Sequence, residues 1–238
     1  MCQKPIGVDD YLHKCRKCPE CNMQRKNEWI FRIKQEFKEH SYAYFMTWTY
    51  KNKYLPTLIN EDTGEIYGTL RYKEMQDYWK RIRKAGYKPR YYVVGEYGSP
   101  ENTQRPHYHA IVFGVPKNIL IATWSQYIGN RKDNKPIFEQ KGRVTADPVN
   151  HKTIRYVVKY MSKRIKNTPE GAEKPKVAMS KGIGKDFIKH AKAHYLVNVQ
   201  GTVFESGGYR IRMPKYYEEA IYGESVDKKG HLEEERIN

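Results

Sequence analysis

Long apolar runs are missing from this sequence. No stretch approaches the roughly 20 apolar residues that a membrane-spanning helix needs, and residues 1–10 lack the apolar segment of a secretory signal. Acidic residues are also few, because 27 Asp and Glu stand against 44 Lys and Arg among 238 residues. We therefore expect a cytoplasmic protein with no membrane partner.

Cysteine is scarce as well, and the four cysteines all lie near the start of the chain. Three of them form C-x2-C-x2-C at 15–21, which is too close for a disulfide framework in a cytosolic chain. A structural zinc at Cys15, Cys18 and Cys21 would lack the second, separated ligand pair of the usual zinc pattern. The residues that could complete such a set are Cys2, His13 and His40. The sequence favours free thiols at the start of a helix over zinc.

The excess of basic residues gives a formal net charge of +17. Such an excess indicates a polyanionic partner, most simply a nucleic acid. The 21 tyrosines sharpen this interpretation, since aromatic rings among cations suit single-stranded nucleic acid, whose bases stack and whose phosphates need counter-charges. The alternative is a basic protein with an ordinary solvated surface, which charge and aromatic content together disfavour.

The length and the apolar patterning predict one folded domain with small extensions. The expected strands cover 42–50, 90–97, 107–113 and 143–146, and the expected helices cover 22–39, 70–85, 117–128, 151–166 and 185–194. Residues 51–69 are expected to form a loop with a small hairpin, and residues 167–184 a linker. Strands from separate parts of the chain with helices between them predict an α+β fold with a central antiparallel sheet.

Two histidines stand one residue apart at the head of an expected strand, in the segment RPHYH. Residues i and i+2 of a strand face the same side, so His107 and His109 present two imidazoles together while Tyr108 points into the other layer. The spacing alone arises by chance in roughly one chain in four of this composition, and the alternative is a polar pair near a sheet edge.

A carboxylate could complete a metal site beside these histidines. Glu96 lies on the preceding strand, and a hairpin connection would bring it next to them. Two imidazoles and one carboxylate leave coordination positions open for water and phosphate oxygens, which would suit Mg²⁺ or Mn²⁺. Taken by itself, Glu96 would more often be an exposed strand carboxylate.

Two tyrosines recur at a spacing of four in the expected helix 151–166, within YVVKYMSK. Positions i and i+4 share one helix face, so Tyr156 and Tyr160 would project together. Lys159 and Lys163 each follow a tyrosine by three positions. The chain has two other tyrosine pairs at this spacing, at 50/54 and 87/91, but neither lies on an expected helix.

A tyrosine hydroxyl can cut DNA as a nucleophile if it loses its proton. The ordinary tyrosine pKa of about 10 hinders this near neutral pH, and an ammonium group such as that of Lys159 favours the phenolate. A metal ion on the phosphate oxygens makes the phosphorus more electrophilic. The products would be a phosphotyrosine-linked DNA end and a free 3′-hydroxyl. The residues expected to contact phosphates are Arg105, Lys163, Arg164 and Lys166.

These segments resemble the HUH endonuclease superfamily, in which a histidine–hydrophobe–histidine strand precedes a tyrosine helix. More specifically, they resemble the replication initiators of microviruses, and especially those of gokushoviruses. Microviruses are small single-stranded DNA bacteriophages. The matching segments are TWTY at 47–50, GEYG at 95–98, RPHYHAIVFG at 105–114, YVVKYMSK at 156–163 and MSKGIG at 179–184. The N-terminal CPEC with Trp29 and Arg32 fits as well, so the resemblance covers most of residues 15–220.

The resemblance implies a rolling-circle replication initiator that nicks one strand at a phage origin. Such an enzyme stays on the 5′ end, leaves the 3′-hydroxyl for a host polymerase, and rejoins the strand after one round. The site residues it implies are the metal ligands His107, His109 and Glu96, the paired nucleophiles Tyr156 and Tyr160, and the helix lysine Lys159. Thr47 and Thr49 would have structural roles on the neighbouring strand.

The resemblance also implies a ferredoxin-like HUH domain at 41–225. A cysteine-containing segment and helix at 1–40 would precede it, and a charged tail at 226–238 would follow it. Its partners would be single-stranded origin DNA and host helicase and polymerase in the bacterial cytoplasm; a fused helicase is not expected, because the sequence has no P-loop. Two alternatives stay open: a relaxase or transposase of the same superfamily, and a non-catalytic module in which tyrosines stack on bases.

Overall fold

The computed structural model describes residues 2–8, 11–98, 104–160, 168–197, 203–206 and 209–222. Helices and strands are mixed, which confirms the α+β class. The helices are α1 (Pro19–Lys38), α2 (Tyr72–Lys84), α3 (Lys117–Thr123), α4 (His151–Lys159), α5 (Phe187–Val197) and α6 (Lys215–Tyr222). The strands are β1 (Ile6–Val8), β2 (Tyr11–His13), β3 (Ala43–Trp48), β4 (Thr57–Ile59), β5 (Ile66–Gly68), β6 (Arg90–Tyr97), β7 (Pro106–Phe113), β8 (Ser125–Asn130), β9 (Pro136–Gln140), β10 (Val144–Pro148), β11 (Val177–Met179), β12 (Val203–Ser206) and β13 (Tyr209–Arg212). Within these described ranges, no helix is both long enough and apolar enough to cross a membrane.

The chain divides into two compact units. We call Met1–Glu39 together with Gly184–Asn238 the cysteine unit, and His40–Ile183 the sheet unit. These are units of packing, and the functional division into 1–40, 41–225 and 226–238 stays a prediction. The tail at 226–238 lies outside the described residues.

The core of the cysteine unit forms around Phe31 of α1. Its ring lies edge-on to the rings of Phe187 and Tyr217, with centroid distances of 5.3 and 5.9 Å. Met213 and Ile221 are buried in the same cluster. Aromatic contacts of this kind contribute about 0.5–1.5 kcal/mol beyond the burial of their area, so α1, α5 and α6 are held by one shared apolar cluster.

The sheet unit is built on a five-stranded antiparallel sheet with the order β10-β3-β7-β6-β11. The central strand is β7, and it pairs with β3 on one side and β6 on the other. The pairing of β6 with β7 runs without interruption from Arg90↔Phe113 to Tyr97↔Pro106. The predicted antiparallel sheet and the predicted pairing of the Glu96 strand with the histidine strand are therefore confirmed.

The two faces of this sheet carry different side chains, because residues alternate along each strand. Tyr108, Ala110 and Val112 of β7 point to one face and enter the main core, where α2 and α3 cover them. This core includes the large side chains of Trp48, Tyr78, Trp79 and Trp124, all almost fully buried. The histidines of β7 belong to the opposite face, on which α4 contacts β7.

Helix α4 begins with a capping box, in which side chains satisfy its first free amide groups. The Asn150 side chain accepts hydrogen bonds from the N–H groups of Lys152 and Thr153 at 2.9 and 3.0 Å. The Thr153 hydroxyl oxygen accepts one from the Asn150 N–H at 2.9 Å. This fixes the start of the helix at residue 151, as predicted. Residues 161–166 of the predicted helix lie outside the described residues.

The helix predicted over 117–128 is wrong beyond residue 123. Helix α3 ends there, and β8 begins at residue 125 and pairs with β9 as a hairpin. Between them, Trp124 is fully buried against Trp48 and Tyr78, and its Nε1–H donates to the Thr49 carbonyl at 2.9 Å. Sequence periodicity carries no information on this contact, because its partners are distant in the chain.

The linker predicted over 167–184 contains a strand. Residues Val177–Met179 form β11, which pairs antiparallel with β6 and becomes an edge of the sheet. A run of three apolar residues is too short to be distinguished from a loop by alternation. By contrast, the small hairpin expected within 51–69 is present as β4 and β5.

Candidate metal centre and tyrosine pair

The strand register brings Glu96, His107 and His109 together on one sheet face. Glu96 lies directly opposite His107 across the β6–β7 pair. One carboxylate oxygen, Glu96 Oε2, is 3.4 Å from His107 Nε2 and 3.6 Å from His109 Nε2. The three residues form a group that could hold a metal ion.

The spacing of these atoms suits a divalent cation. Ligand atoms that share one ion at about 2.1 Å are separated by about 3.0–3.5 Å in octahedral or tetrahedral geometry, close to the distances around Glu96 Oε2. The Glu96 side chain is 11% exposed and that of His109 is 8% exposed. Glu96 is therefore not the exposed strand carboxylate of the alternative interpretation, and a cation beside its shielded negative charge would be favourable.

Each histidine is oriented by a hydrogen bond at its other ring nitrogen. The Arg105 carbonyl accepts from His107 Nδ1 at 2.9 Å. The Thr47 hydroxyl lies 2.9 Å from His109 Nδ1, where its oxygen can accept the ring N–H. A proton held at Nδ1 leaves the Nε2 lone pair directed at Glu96 and available to a metal, as is usual for histidine ligands.

Tyr156 and Tyr160 project together, as their spacing predicted. The Tyr160 hydroxyl donates to the Tyr156 hydroxyl oxygen at 2.6 Å, and the ring centroids are 5.0 Å apart. Both rings also contact the His109 ring, with centroid distances of 5.4 Å for Tyr156 and 5.6 Å for Tyr160. The tyrosine pair therefore lies directly over the candidate metal ligands.

The two hydroxyls differ in their surroundings. Tyr156 is 42% exposed, so its oxygen can be approached from solvent. Burial raises the pKa of Tyr160, and the hydrogen bond to Tyr156 and the negative charge of Glu96 raise it further. In this arrangement Tyr160 keeps its proton and Tyr156 receives the hydrogen bond.

Phe45 belongs to the site although the sequence did not single it out. Its ring stacks on His109 at a centroid distance of 5.7 Å and an angle of 12°, and it meets Tyr156 edge-on at 5.7 Å. Phe45 and Thr47 are two residues apart on β3 and share the face of the histidines. The alternation within YAYFMTWTY could have indicated this, but only once the neighbour of β3 was known.

The rest of the predicted site consists of Lys159 and the predicted phosphate contacts. Lys159 is exposed at the end of α4, and its role beside the tyrosines stays a prediction. The Arg105 guanidinium donates to the Tyr50 carbonyl at 2.7 Å, so this side chain braces the loop after β3. The other predicted phosphate contacts, Lys163, Arg164 and Lys166, lie outside the described residues.

The competing tyrosines of the 50/54 pair lie elsewhere. Tyr50 is 4% exposed and packs on Tyr108 and Trp124 in the main core, on the other side of the sheet. The Tyr54 hydroxyl donates to the Glu139 carboxylate at 2.8 Å. Neither arrangement places a tyrosine hydroxyl at the histidine group.

The chain was compared with known families, curated proteins and solved structures. The model of the replication-associated protein ORF2 family matches residues 43–165. No curated protein and no solved structure matches. The matched segment contains Glu96, both histidines and both tyrosines, and it covers more than half of the chain. This protein therefore belongs to the replication-associated protein ORF2 family, which supports a role in starting rolling-circle replication.

Proposed function

We propose that this protein nicks single-stranded DNA at a replication origin by tyrosine attack and later rejoins the strand, as an HUH endonuclease. One observation carries the proposal: two tyrosines that share a hydrogen bond lie against His109, on the face that also presents His107 and Glu96. Family membership supplies the link to replication.

Glu96, His107 and His109 would hold one divalent cation, Mg²⁺ or Mn²⁺. When bound, such an ion would neutralise charge on the scissile phosphate and make its phosphorus a better electrophile. The protein itself contributes orientation: hydrogen bonds at both Nδ1 atoms fix the imidazoles, and Phe45 supports the His109 ring from one side.

The cut is a transfer of the phosphoryl group from one oxygen to another. The Tyr156 hydroxyl loses its proton to solvent, and its oxygen forms a bond to phosphorus. The bond from phosphorus to the 3′-oxygen breaks, and that oxygen takes up a proton to become the free 3′-hydroxyl. The DNA 5′ end stays on the protein as a phosphotyrosine ester, so the energy of the broken bond is retained for rejoining.

Tyr156 is proposed to act first. Its oxygen accepts the hydrogen bond from Tyr160, and its side chain is the more open to solvent. Lys159, three residues after Tyr156, would place a positive charge beside the attacking oxygen. Tyr160 then attacks the regenerated origin, and the released 3′-hydroxyl attacks the first phosphotyrosine to close the strand.

The proposed phage setting rests on the resemblance to microvirus initiators. The DNA would be a phage origin, and a host helicase and polymerase would extend the 3′-hydroxyl in the bacterial cytoplasm. Arg105, Lys163, Arg164 and Lys166 would contact phosphates of the bound strand.

The test is formation of a covalent adduct. Single-stranded oligonucleotides that tile both strands of the whole replicon carrying the gene for this chain are incubated with the protein and Mn²⁺ or Mg²⁺, and adducts are resolved on denaturing gels. We expect one tile to give an adduct and a shortened 3′-hydroxyl fragment. The double variant Tyr156→Phe with Tyr160→Phe should give neither, whereas Tyr127→Phe, at an exposed tyrosine of the β8–β9 hairpin, should behave as the native chain.

Two outcomes would overturn the proposal. Tight binding of every tile with no adduct in either metal would favour the non-catalytic module in which tyrosines stack on bases. An adduct that persists in the double variant would place the nucleophile elsewhere. A relaxase or transposase would give the same chemistry, but on tiles outside the origin.

A further inference from the structure

Four cysteine sulfurs converge in the cysteine unit. Cys2 comes from the first residues of the chain, Cys15 and Cys18 from the turn before α1, and Cys21 from the first turn of that helix. Their Sγ atoms all lie within 4.8 Å of one another. All four are free thiols, and Cys18 and Cys21 are buried.

A short hairpin brings the distant member of this group into place. Strands β1 and β2 pair antiparallel, with Ile6 opposite His13, so the chain returns and sets Cys2 beside Cys15. The Cys15 N–H donates to Cys2 Sγ at 3.3 Å. The ligand missing from C-x2-C-x2-C is therefore present as Cys2, whereas His13 is exposed.

The turn between the cysteines is shaped around sulfur. Arg16 has a φ of 56°, in the left-handed region, and it folds the chain so that the Cys18 N–H donates to Cys15 Sγ at 3.3 Å. Backbone N–H donors to the sulfurs of a C-x-x-C turn stabilise bound thiolates. Cys18 is the N-cap of α1 and forms no side-chain cap hydrogen bond, so its sulfur is not occupied by the helix.

The separations match a tetrahedral thiolate site. Four sulfurs at about 2.3 Å from one Zn²⁺ lie about 3.8 Å from one another, and the Cys18 and Cys2 sulfurs are 3.9 Å apart. A disulfide would require about 2.05 Å. Soft sulfur ligands in tetrahedral geometry select zinc among the common divalent ions.

We propose that Cys2, Cys15, Cys18 and Cys21 bind one structural Zn²⁺ ion that fastens the β1–β2 hairpin to the start of α1. Four thiol protons leave as the thiolates bind, and the site gains a net charge of −2. That charge lies at the positive end of the dipole of α1. The exposed cations around it are Lys4, Lys14, Arg16 and Lys17. The site shares no residue with the tyrosine pair, and the proposal does not depend on the nicking activity.

The first test is the metal content of the purified full-length chain. Elemental analysis should find one zinc per chain that withstands dialysis. Cys18→Ser should lose it, whereas His13→Ala should keep it, because His13 is not a ligand. The double variant His107→Ala with His109→Ala should keep it too, which separates this site from the candidate centre on the sheet.

The second test does not require a variant to fold. The native chain is reloaded with Co²⁺, which should give the near-ultraviolet charge-transfer band of thiolate-bound cobalt; carboxylate and imidazole ligands do not produce it. Zinc should also slow modification of the four thiols by a maleimide at least tenfold. A reduced native chain with no thiolate–cobalt band, thiols that react equally fast with and without zinc, or iron in place of zinc would overturn the proposal.

Discussion

Each histidine of the candidate metal centre holds its position through a strand register and one hydrogen bond at Nδ1. Removing one imidazole leaves two ligands, too few to hold a divalent ion firmly. His107→Ala is therefore expected to slow nicking by at least about 100-fold, while DNA affinity changes little, because phosphate contacts with Lys and Arg dominate it. Adduct yield and fluorescence anisotropy measure the two effects. His190→Ala, at an exposed histidine of α5, is the control, and full nicking by His107→Ala in the presence of a chelator would refute the assignment.

Thr47 acts on the same site through His109. Its hydroxyl lies 2.9 Å from His109 Nδ1, so Thr47→Val, which keeps the shape of the side chain, removes the group that orients the ring. Loss of such a partner typically lowers metal affinity about 10–100-fold. We expect Thr47→Val to need correspondingly more Mn²⁺ for half-maximal nicking, and Thr47→Ser to restore the native requirement.

Thr49 provides the matched control for this change. Its hydroxyl donates to the Arg143 carbonyl at 3.1 Å, whereas the hydroxyl that meets His109 Nδ1 is that of Thr47. Thr49→Val should therefore leave the Mn²⁺ requirement unchanged. An equal shift for Thr47→Val and Thr49→Val would mean that the strand as a whole, not the His109 hydrogen bond, responds to the substitution.

The single tyrosine variants separate the first cut from the closure of the circle. Tyr156→Phe and Tyr160→Phe should each retain a nucleophile and so form some adduct, but neither should release closed circles, because transfer between the two tyrosines is lost. Mass spectrometry of the trapped native adduct should find the nucleotide first on Tyr156. A nucleotide on Tyr50, Tyr54 or any residue outside 156–160 would mean that another helix or loop carries the chemistry.

At the scale of elements, close packing against Tyr72 and Leu70 explains why β6 has a glycine at position 95. A Cβ there would lie 2.6 Å from the Tyr72 hydroxyl and 2.8 Å from Leu70. That hydroxyl cannot move away freely, because it accepts the Gly95 N–H at 3.0 Å and also the Lys176 N–H at 2.7 Å. Gly95 thus lets Tyr72 of α2 fasten the edge strand β11 to β6.

Gly95→Ala is therefore expected to lower the free energy of unfolding by about 1–3 kcal/mol, as overpacking of a filled core does. Denaturant unfolding of the full chain measures this. Gly7→Ala, where no atom lies within 4 Å of the added Cβ, should change stability far less. Replacement of Gly by Ala lowers the backbone entropy of the unfolded chain and so favours folding at either position; equal effects of the two substitutions would therefore show that the contact with Tyr72 does not destabilise the Gly95 variant.

The elements that the sequence predicted well are those with strong local patterns. Apolar patterning placed β6 and β7, and the parity of His107 and His109 placed both imidazoles on one face. The β8–β9 hairpin was not predicted, because Trp124 ends α3 through contacts with residues far away in the chain. Phe45 was not predicted as a site residue for a related reason. Its place beside His109 depends on the pairing of β3 with β7, which local sequence patterns do not indicate.

The cysteine group illustrates the same limit. The spacing of Cys15, Cys18 and Cys21 is visible in the sequence, but the fourth sulfur arrives only through the β1–β2 hairpin. The three-residue strands β1 and β2 are too short for alternation to indicate them. The three clustered cysteines alone therefore favoured free thiols over a complete set of zinc ligands.

At the scale of the whole molecule, the excess of basic side chains behind the formal charge of +17 is expected to make DNA binding depend on salt. Each phosphate neutralised on a single strand releases counterions and contributes a slope of about −0.7 to the dependence of log affinity on log salt. The triple variant Lys163→Gln, Arg164→Gln and Lys166→Gln removes three predicted phosphate contacts. Its slope should be shallower than that of the native chain by about 2, as fluorescence anisotropy with a labelled oligonucleotide would measure.

Lysines on the face of the sheet opposite the histidines provide the control for the salt slope of the triple variant. Lys73 and Lys80 belong to α2, which covers the face opposite the histidines, and both pair with Asp77. Replacing both with Gln lowers the net charge by two but should leave the slope nearly unchanged, since counterion release follows local phosphate contacts and not total charge. Equal slopes for the triple variant and the native chain would remove the three residues from the DNA path. A flat slope for the native chain would contradict the electrostatic argument as a whole, because a protein that binds DNA through its basic surface must lose affinity as salt rises.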